Sequence, residues 1–258
     1  MPISINSQIK ASEYSEILKE TGRVRIPNFL STDSAELIHD TLSKNTAWGL
    51  VYSNDEGKPI LRNSAELESM QATEMHGIMK KLYTQGGSMY QYIYYVFPII
   101  EGIKLGVITE NSVLYDIATF LNGTAFLKFA HELTGVNSLV KFDPQATCFS
   151  RGHFLNLHDD MSDGREQNNT SVRRYAVVLG FTKNWSVNWG GQTNFFDRPG
   201  ASVSESWFPM FNSISVFEVP ALHSVNHVSP LANGRRYSIT GWLRDDPQVH
   251  RPDLQNQT

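Results

Sequence analysis

The sequence is poor in cysteine: of its 258 residues, only Cys148 carries a thiol. One thiol can form neither an internal disulfide nor a cysteine-based zinc site, so any metal must be held by histidines and carboxylates. Long apolar runs are missing as well. The most apolar stretch, Tyr92–Ile100, is too short to cross a bilayer and contains Pro98, so it reads as core or as a contact between elements. No charge of either sign dominates. A net charge of -4 gives no global attraction to nucleic acid, and neither a nucleic-acid nor a membrane partner is expected. The opening Met1–Asn6 lacks a basic segment followed by an apolar stretch, so no secretory signal is expected and a cytoplasmic location follows by default.

What is present is an ordinary globular composition, 40% hydrophobic and 19% charged, in a length that suits one large domain. The first part reads as helix-rich. Ser31-Thr32-Asp33 is a helix-start signal ahead of Ala35, Leu37, Ile38 and Leu42, and predicts a helix over 33–44. A further helix is predicted over Glu66–Leu82, and Val113–Thr134 reads as two helices broken at Asn122-Gly123. Arg23–Pro27 alternates like a short strand.

Near residue 140 the pattern shortens. Strands are predicted over 146–149, 155–158, 174–181, 192–195, 213–219, 223–228 and 236–242, separated by Gly, Asn, Asp and Pro. This succession predicts a mainly β fold with N-terminal helices, its core a double-stranded β-helix of the jelly-roll type. The organisation expected is a helix-rich buttress over 1–140, a catalytic β-helix core over 141–245 and a polar tail over 246–258 that extends along the surface, all in one integrated domain. Asp163–Ser171 reads as a polar loop.

The strongest chemical signal is His158-Asp159-Asp160 at the end of the strand Phe154–Leu157. Residues i and i+2 of a strand share a face, roughly 7 Å apart, so His158 and Asp160 can converge on one ion while Asp159 points away. An imidazole and a carboxylate are two corners of a facial triad, which a second histidine would complete while leaving positions open for other ligands. His223 and His227 are the candidates; they lie on one face of one predicted strand, and alternation does not choose between them. Arg235-Arg236 opens the next strand. An arginine there can form a bidentate pair with the far carboxylate of a dicarboxylate, and Ser238 on the same face as Arg236 can add a hydroxyl. His39, His76 and His131 fall in helical segments and read as packing or surface residues; His153 is the candidate for a supporting role. Tyr90, Tyr92, Tyr94, Tyr95 and Phe97 read as core.

Taken in order, Arg151-Gly152-His153-Phe154, His158-x-Asp160, Trp189-Gly190-Gly191-Gln192-Thr193-Asn194-Phe195, His223-x-Val225 and Arg236-x-Ser238-x-Thr240-Gly241-Trp242 resemble the prolyl 4-hydroxylase-like branch of the 2-oxoglutarate/Fe(II)-dependent dioxygenase superfamily. The resemblance covers residues 140–244 and, more loosely, Ile26–Leu30. It implies Fe(II) on His158, Asp160 and His223, 2-oxoglutarate anchored by Arg236 with Ser238, and ascorbate as an accessory. His223-x-Val225 fits the family's His-x-Val, whereas His227 is followed directly by Val228. Asp160 favours hydroxylation over halogenation, since related halogenases lack the metal carboxylate. Where prolyl hydroxylases often carry a tyrosine on the strand before His-x-Asp, this sequence has Phe149. The activity implied is hydroxylation, with a prolyl residue of a protein or peptide as substrate. Hydroxylation of a free amino acid or another small metabolite, and a catalytically silent jelly-roll binding module, are the alternatives.

Overall fold

The computed structural model describes residues 2–86, 89–161, 171–198 and 202–254. In chain order the elements are α1 (Ser12–Thr21), β1 (Arg23–Pro27), α2 (Thr32–Lys44), β2 (Gly49–Ser53), β3 (Pro59–Arg62), α3 (Ser64–Ser69), α4 (Ala72–Gln85), β4 (Tyr92–Phe97) and α5 (Ile99–Lys104). There follow α6 (Val113–Leu121), α7 (Thr124–Thr134), β5 (Leu139–Phe142), β6 (Gln145–Phe149), β7 (Phe154–His158), β8 (Val172–Phe181) and β9 (Thr193–Phe196). The chain closes with β10 (Val203–Trp207), β11 (Phe211–Glu218), β12 (His223–Val225) and β13 (Arg236–Asp245). Among the described residues, no helix is long and apolar enough to cross a membrane.

The strands form one mostly antiparallel sheet curled into a half-barrel, the double-stranded β-helix expected from the sequence. Its order is β1-β11-β8-β13-β6-β4-β7-β12-β9-β10, with β2 paired to β4, β3 to β2, and β5 to β13. β4 pairs along one edge with β7 and then with β6, while β2 takes its other edge, so β4 joins the broad half of the sheet to the half that holds β7, β12, β9 and β10. The helix predicted over 33–44 is α2, capped by Ser31, whose hydroxyl accepts from the Ser34 amide. The pair broken at Asn122-Gly123 is α6 and α7.

Three expectations need correction. The single helix expected over Glu66–Leu82 is two, α3 and α4, separated by extended backbone at Met70 and Gln71. The break has a packing reason: Leu67, Met70, Met75, Ile78 and Met79 all pack against one cluster of Leu50, Leu82, Ile93 and Phe154. The run Tyr92–Ile100 supplies strand β4, and β1 to β4 lie in the sheet, so the first 140 residues contribute more than a helical buttress. The described part of the polar tail is docked, since Leu254 is buried, Arg251 Nη1 donates to Val140 O (3.0 Å), and Thr124 Oγ1 donates to Asp253 Oδ2 (2.7 Å). Residues 162–170 of the predicted polar loop and 255–258 of the tail lie outside the described residues.

The main core lies between the helices and the broad half of the sheet, where Phe29, Phe126 and Phe142 meet Ile26, Val177, Leu179, Ile214 and Ile239. The two outermost strands of the sheet, β1 and β10, are joined by side chains. Arg23 Nε donates to Glu205 Oε2 at 2.6 Å, and the Arg23 guanidinium stands over the Phe195 ring at 4.9 Å. Arg25 Nη1 donates to Phe208 O at 2.8 Å, with its guanidinium 5.0 Å from the Trp207 ring.

Candidate active site

Register brings the histidines together. β7 and β12 pair antiparallel with His158 directly opposite His223, and the ring centroids are 4.0 Å apart. Each Nδ1 is tied down by the carbonyl two residues before it, His158 to Asn156 O (2.8 Å) and His223 to Ala221 O (2.7 Å). A carbonyl can only accept, so both rings carry a proton on Nδ1 and turn Nε2 towards the site. Both Nε2 atoms meet the same carboxylate: His158 Nε2 is 3.4 Å from Asp160 Oδ1, and His223 Nε2 is 3.6 Å from Asp160 Oδ2. One ligand atom from each of the three residues lies within 4.8 Å of the others, as a shared ion requires.

Asp160 reaches this point by a route that strand alternation did not anticipate. β7 ends at His158, and Asp160 sits at φ 61, in the left-handed region that aspartate tolerates better than most residues. That turn swings the carboxylate back over the strand end. Asp159 does not leave the site; its carboxylate accepts from the Met161 amide (3.0 Å) and it lines the cavity. Burial pushes the Asp160 carboxyl upward, but its contacts with His158, His223 and the Trp242 indole outweigh it, and the group is held below the usual carboxylate range. Burial pulls the His223 imidazole down to about 4, helped by His158 and opposed by Asp160, so the ring is neutral and ligand-ready at neutral pH.

The three residues line a cavity of about 1110 Å³. Arg236 lies in its wall, 6% exposed, at the start of β13. Its Nη1 donates to Gly191 O (2.6 Å) and its Nη2 to Thr193 Oγ1 (3.1 Å). Both acceptors come from the Trp-Gly-Gly-Gln-Thr segment, where Gly190 and Gly191 at φ 65 and 67 make a turn closed to side-chain-bearing residues. Among the described residues no carboxylate pairs with this guanidinium, and burial followed by repulsion from Arg25 pulls it down to about 9. Ser238 faces the same cavity with Thr147; their hydroxyls are 2.9 Å apart. Phe149, opposite Arg236 across β6 and β13, carries Tyr94 stacked on it at 5.0 Å and 15°.

Part of this wall was not expected from the sequence. Tyr90, Tyr92 and Tyr94, read as core, line the cavity from alternate positions along the chain into β4, and the Tyr90 ring is 5.9 Å from that of His158. Alternation was visible there, but a row of tyrosines looks the same whether it borders a core or a cavity. Arg173 and Trp242 were missed as well: the guanidinium lies 3.9 Å from the indole and Nη1 donates to Asp160 O (3.1 Å). His227 leaves the strand and is exposed, stacked on Phe154 at 4.2 Å. His153 is buried against Tyr95 at 4.6 Å and does not line the cavity. His39 Nδ1 and His131 Nε2 are satisfied by Phe181 O and Leu139 O.

Residues 144–244 match the sequence model of the 2OG-Fe(II) oxygenase superfamily. No curated protein matches the chain. Among solved structures, a prolyl-4-hydroxylase from Pseudomonas putida is similar at 16% identity and a TM-score of 0.55, covering 91% of this chain and 98% of that one. A prolyl hydroxylase from Trichoplax adhaerens, in complex with a hypoxia inducible factor oxygen degradation domain peptide fragment, is similar at 15% identity and a TM-score of 0.56, covering 91% and 89%. The non-heme alpha ketoglutarate dependent epimerase SnoN from nogalamycin biosynthesis is similar at 9% identity and a TM-score of 0.52, covering 94% and 86%. At such identities the likeness is one of fold. The region that supplies His158, Asp160, His223, Arg236 and Ser238 thus matches the 2OG-Fe(II) oxygenase superfamily in sequence, and the chain around it has that superfamily's double-stranded β-helix fold.

Proposed function

We propose that this protein is an Fe(II)- and 2-oxoglutarate-dependent dioxygenase that hydroxylates a prolyl residue of a protein or peptide. The observation that carries the cosubstrate reading is Arg236: a buried cation without an acidic partner among the described residues, in the same cavity as a His/Asp/His cluster. A buried charge is costly unless an opposite charge meets it, and a dicarboxylate with one end on the metal would supply that charge at its far end.

In this reading His158, Asp160 and His223 hold Fe(II), and their nitrogen and oxygen donors suit that ion. Bound together, the metal and 2-oxoglutarate supply the oxidation, in which dioxygen gives one atom to the substrate while the cosubstrate becomes succinate and carbon dioxide. The chain's own residues bind, orient and exclude water. Asn156 O and Ala221 O fix the ring orientation of the two histidines. Arg236 pairs with the far carboxylate, aimed by Gly191 O and Thr193 Oγ1, and Ser238 adds a hydroxyl beside it. Tyr90, Tyr92, Leu157, Met161 and Trp242 supply an aromatic and apolar wall suited to an uncharged ring such as that of proline.

The substrate class draws support from the two prolyl hydroxylases of like fold. A small-molecule substrate is the second reading, favoured by the size of the cavity and by the like fold of the SnoN epimerase, whose structure in complex with Fe3+, alpha ketoglutarate and nogalamycin RO is also similar. The test is aerobic incubation with Fe(II) and 2-oxoglutarate, plus ascorbate, against a proline-containing peptide library and, separately, free amino acids. Succinate release together with gain of one oxygen atom on a peptide, read by mass spectrometry, supports the reading. Robust turnover of free proline with no peptide modified would move the substrate to the small-molecule class.

A further inference from the structure

Arg236 is not the only guanidinium in its neighbourhood. Behind it, away from the large cavity, is a second polar cavity of about 20 Å³, room for no more than a single water. Its walls include both Arg236 and Arg25, with Ser213, Ser215, Ser238 and Thr182. Arg236 therefore stands between the two cavities, and Arg25 faces its rear from β1, outside the part of the chain that matches the oxygenase superfamily.

Arg25 is held rigidly by neutral groups. Its Nε donates to Ser215 Oγ (3.2 Å), its Nη1 to Phe208 O (2.8 Å), and its guanidinium lies over Trp207. Glu205 is the acid that acts on it, but that carboxylate is already engaged, by Arg23 at 2.6 Å and by the Trp207 indole. Two cations on either side of a water-sized space are an unfavourable pair in the absence of an anion, because little solvent screens them. A negative group that arrives in front of Arg236 is attracted by both charges. The repulsion between the two arginines is the same with and without the ligand, whereas the attraction of the Arg25 charge for the anion is gained only in the complex and favours the bound state.

We propose that Arg25 is a positioning residue of the anion subsite, acting through Arg236 to strengthen the hold on the far carboxylate of a dicarboxylate ligand. Arg25 touches no ligand itself. The inference rests on the assignment of Arg236 to the 2-oxoglutarate carboxylate, and it predicts an effect of charge rather than of shape.

The experiment is anaerobic calorimetric titration of 2-oxoglutarate into the full-length protein loaded with Mn(II), a redox-quiet stand-in for Fe(II), with a parallel titration of Mn(II) alone. Arg25→Gln is expected to weaken 2-oxoglutarate binding by about fivefold, a screened single-charge effect, without changing Mn(II) affinity. Arg25→Lys, which keeps the charge, is expected to stay within about twofold of the wild type. Glu205→Gln removes the opposing charge and is expected to tighten binding, an outcome that a merely structural role for this cluster would not give. Equal weakening in Arg25→Gln and Arg25→Lys, or wild-type binding in Arg25→Gln, would overturn the inference while leaving the cosubstrate assignment in place. Failure of the wild type to bind 2-oxoglutarate, or undiminished binding in Arg236→Gln, would overturn both.

Discussion

The guanidinium of Arg236 donates to the carbonyl oxygen of Gly191 at 2.6 Å, across a turn that only glycines make comfortably. A Cβ at Gly190 would lie 2.2 Å from His227 O, and one at Gly191 would lie 3.1 Å from the Trp185 ring and from Val228. Gly190→Ala is expected to destabilise the fold by about 3 kcal/mol and Gly191→Ala by about 1–2 kcal/mol. Both are expected to lower 2-oxoglutarate affinity by moving the carbonyl that aims Arg236. Urea unfolding orders the two costs, and the reverse order would contradict the geometry.

Metal binding separates the two candidate histidines. His223 lies opposite His158 and 3.6 Å from Asp160, whereas His227 stacks on Phe154 at the surface. His223→Ala and Asp160→Ala are each expected to lower Fe(II) affinity by at least about 100-fold and to stop succinate release, with His227→Ala close to wild type. Anaerobic Fe(II) titration of the three variants is the measurement. Loss confined to His227→Ala would require another ligand set.

The neighbouring arginines are expected to differ sharply. Arg236→Gln should weaken 2-oxoglutarate binding by about 2–5 kcal/mol, since it removes a charged partner from a buried site. Arg235 lies over Tyr95 at 5.6 Å and does not line the cavity, so Arg235→Gln should change binding by less than about twofold. Competition with a labelled dicarboxylate would compare the two directly.

His153 predicts an acid sensitivity unrelated to the metal. Burial pulls its imidazole down to about 4, so the folded protein keeps it neutral where the unfolded chain, titrating at about 6.5, is protonated. The unfolded state then binds the extra proton, and stability falls as pH drops from about 6.5 towards 4. Between pH 7 and pH 5 this linkage should remove about 2 kcal/mol of stability. His153→Phe, which keeps a ring against Tyr95, should show a smaller loss over that interval in urea unfolding. An unchanged loss would assign the acid sensitivity to other groups.

The sequence showed more of the site than of the sheet around it. His158 and Arg236 could be named as candidates because each stands at a strand terminus within an ordered set of motifs, not because either stands out among its immediate neighbours. The position of Asp160 was legible but its geometry was not, because nothing in His-Asp-Asp marks a left-handed residue. The hairpin of β2 and β3 was missed although Asn54-Asp55-Glu56-Gly57 between two short runs is a turn signal, and Gly57 does adopt φ 75. Arg25 carried no local signal. Its place behind Arg236 arises from β1 joining β11 at one margin of the sheet, a long-range pairing that no window of neighbouring residues encodes.

The link between β1 and β10 has a further consequence for solubility. The last strand of a sheet normally exposes a row of unpaired amides and carbonyls on which another chain can pair. Here the margin at β10 is flanked by Arg23, Arg25 and Glu205, which a foreign strand would have to displace and desolvate together. On the β1 side, Pro27 removes one donor outright and α1 packs alongside. The same arginines that draw the half-barrel together thus guard it against edge-to-edge aggregation, and neutralising Arg23 and Glu205 together should raise the tendency of the folded protein to self-associate.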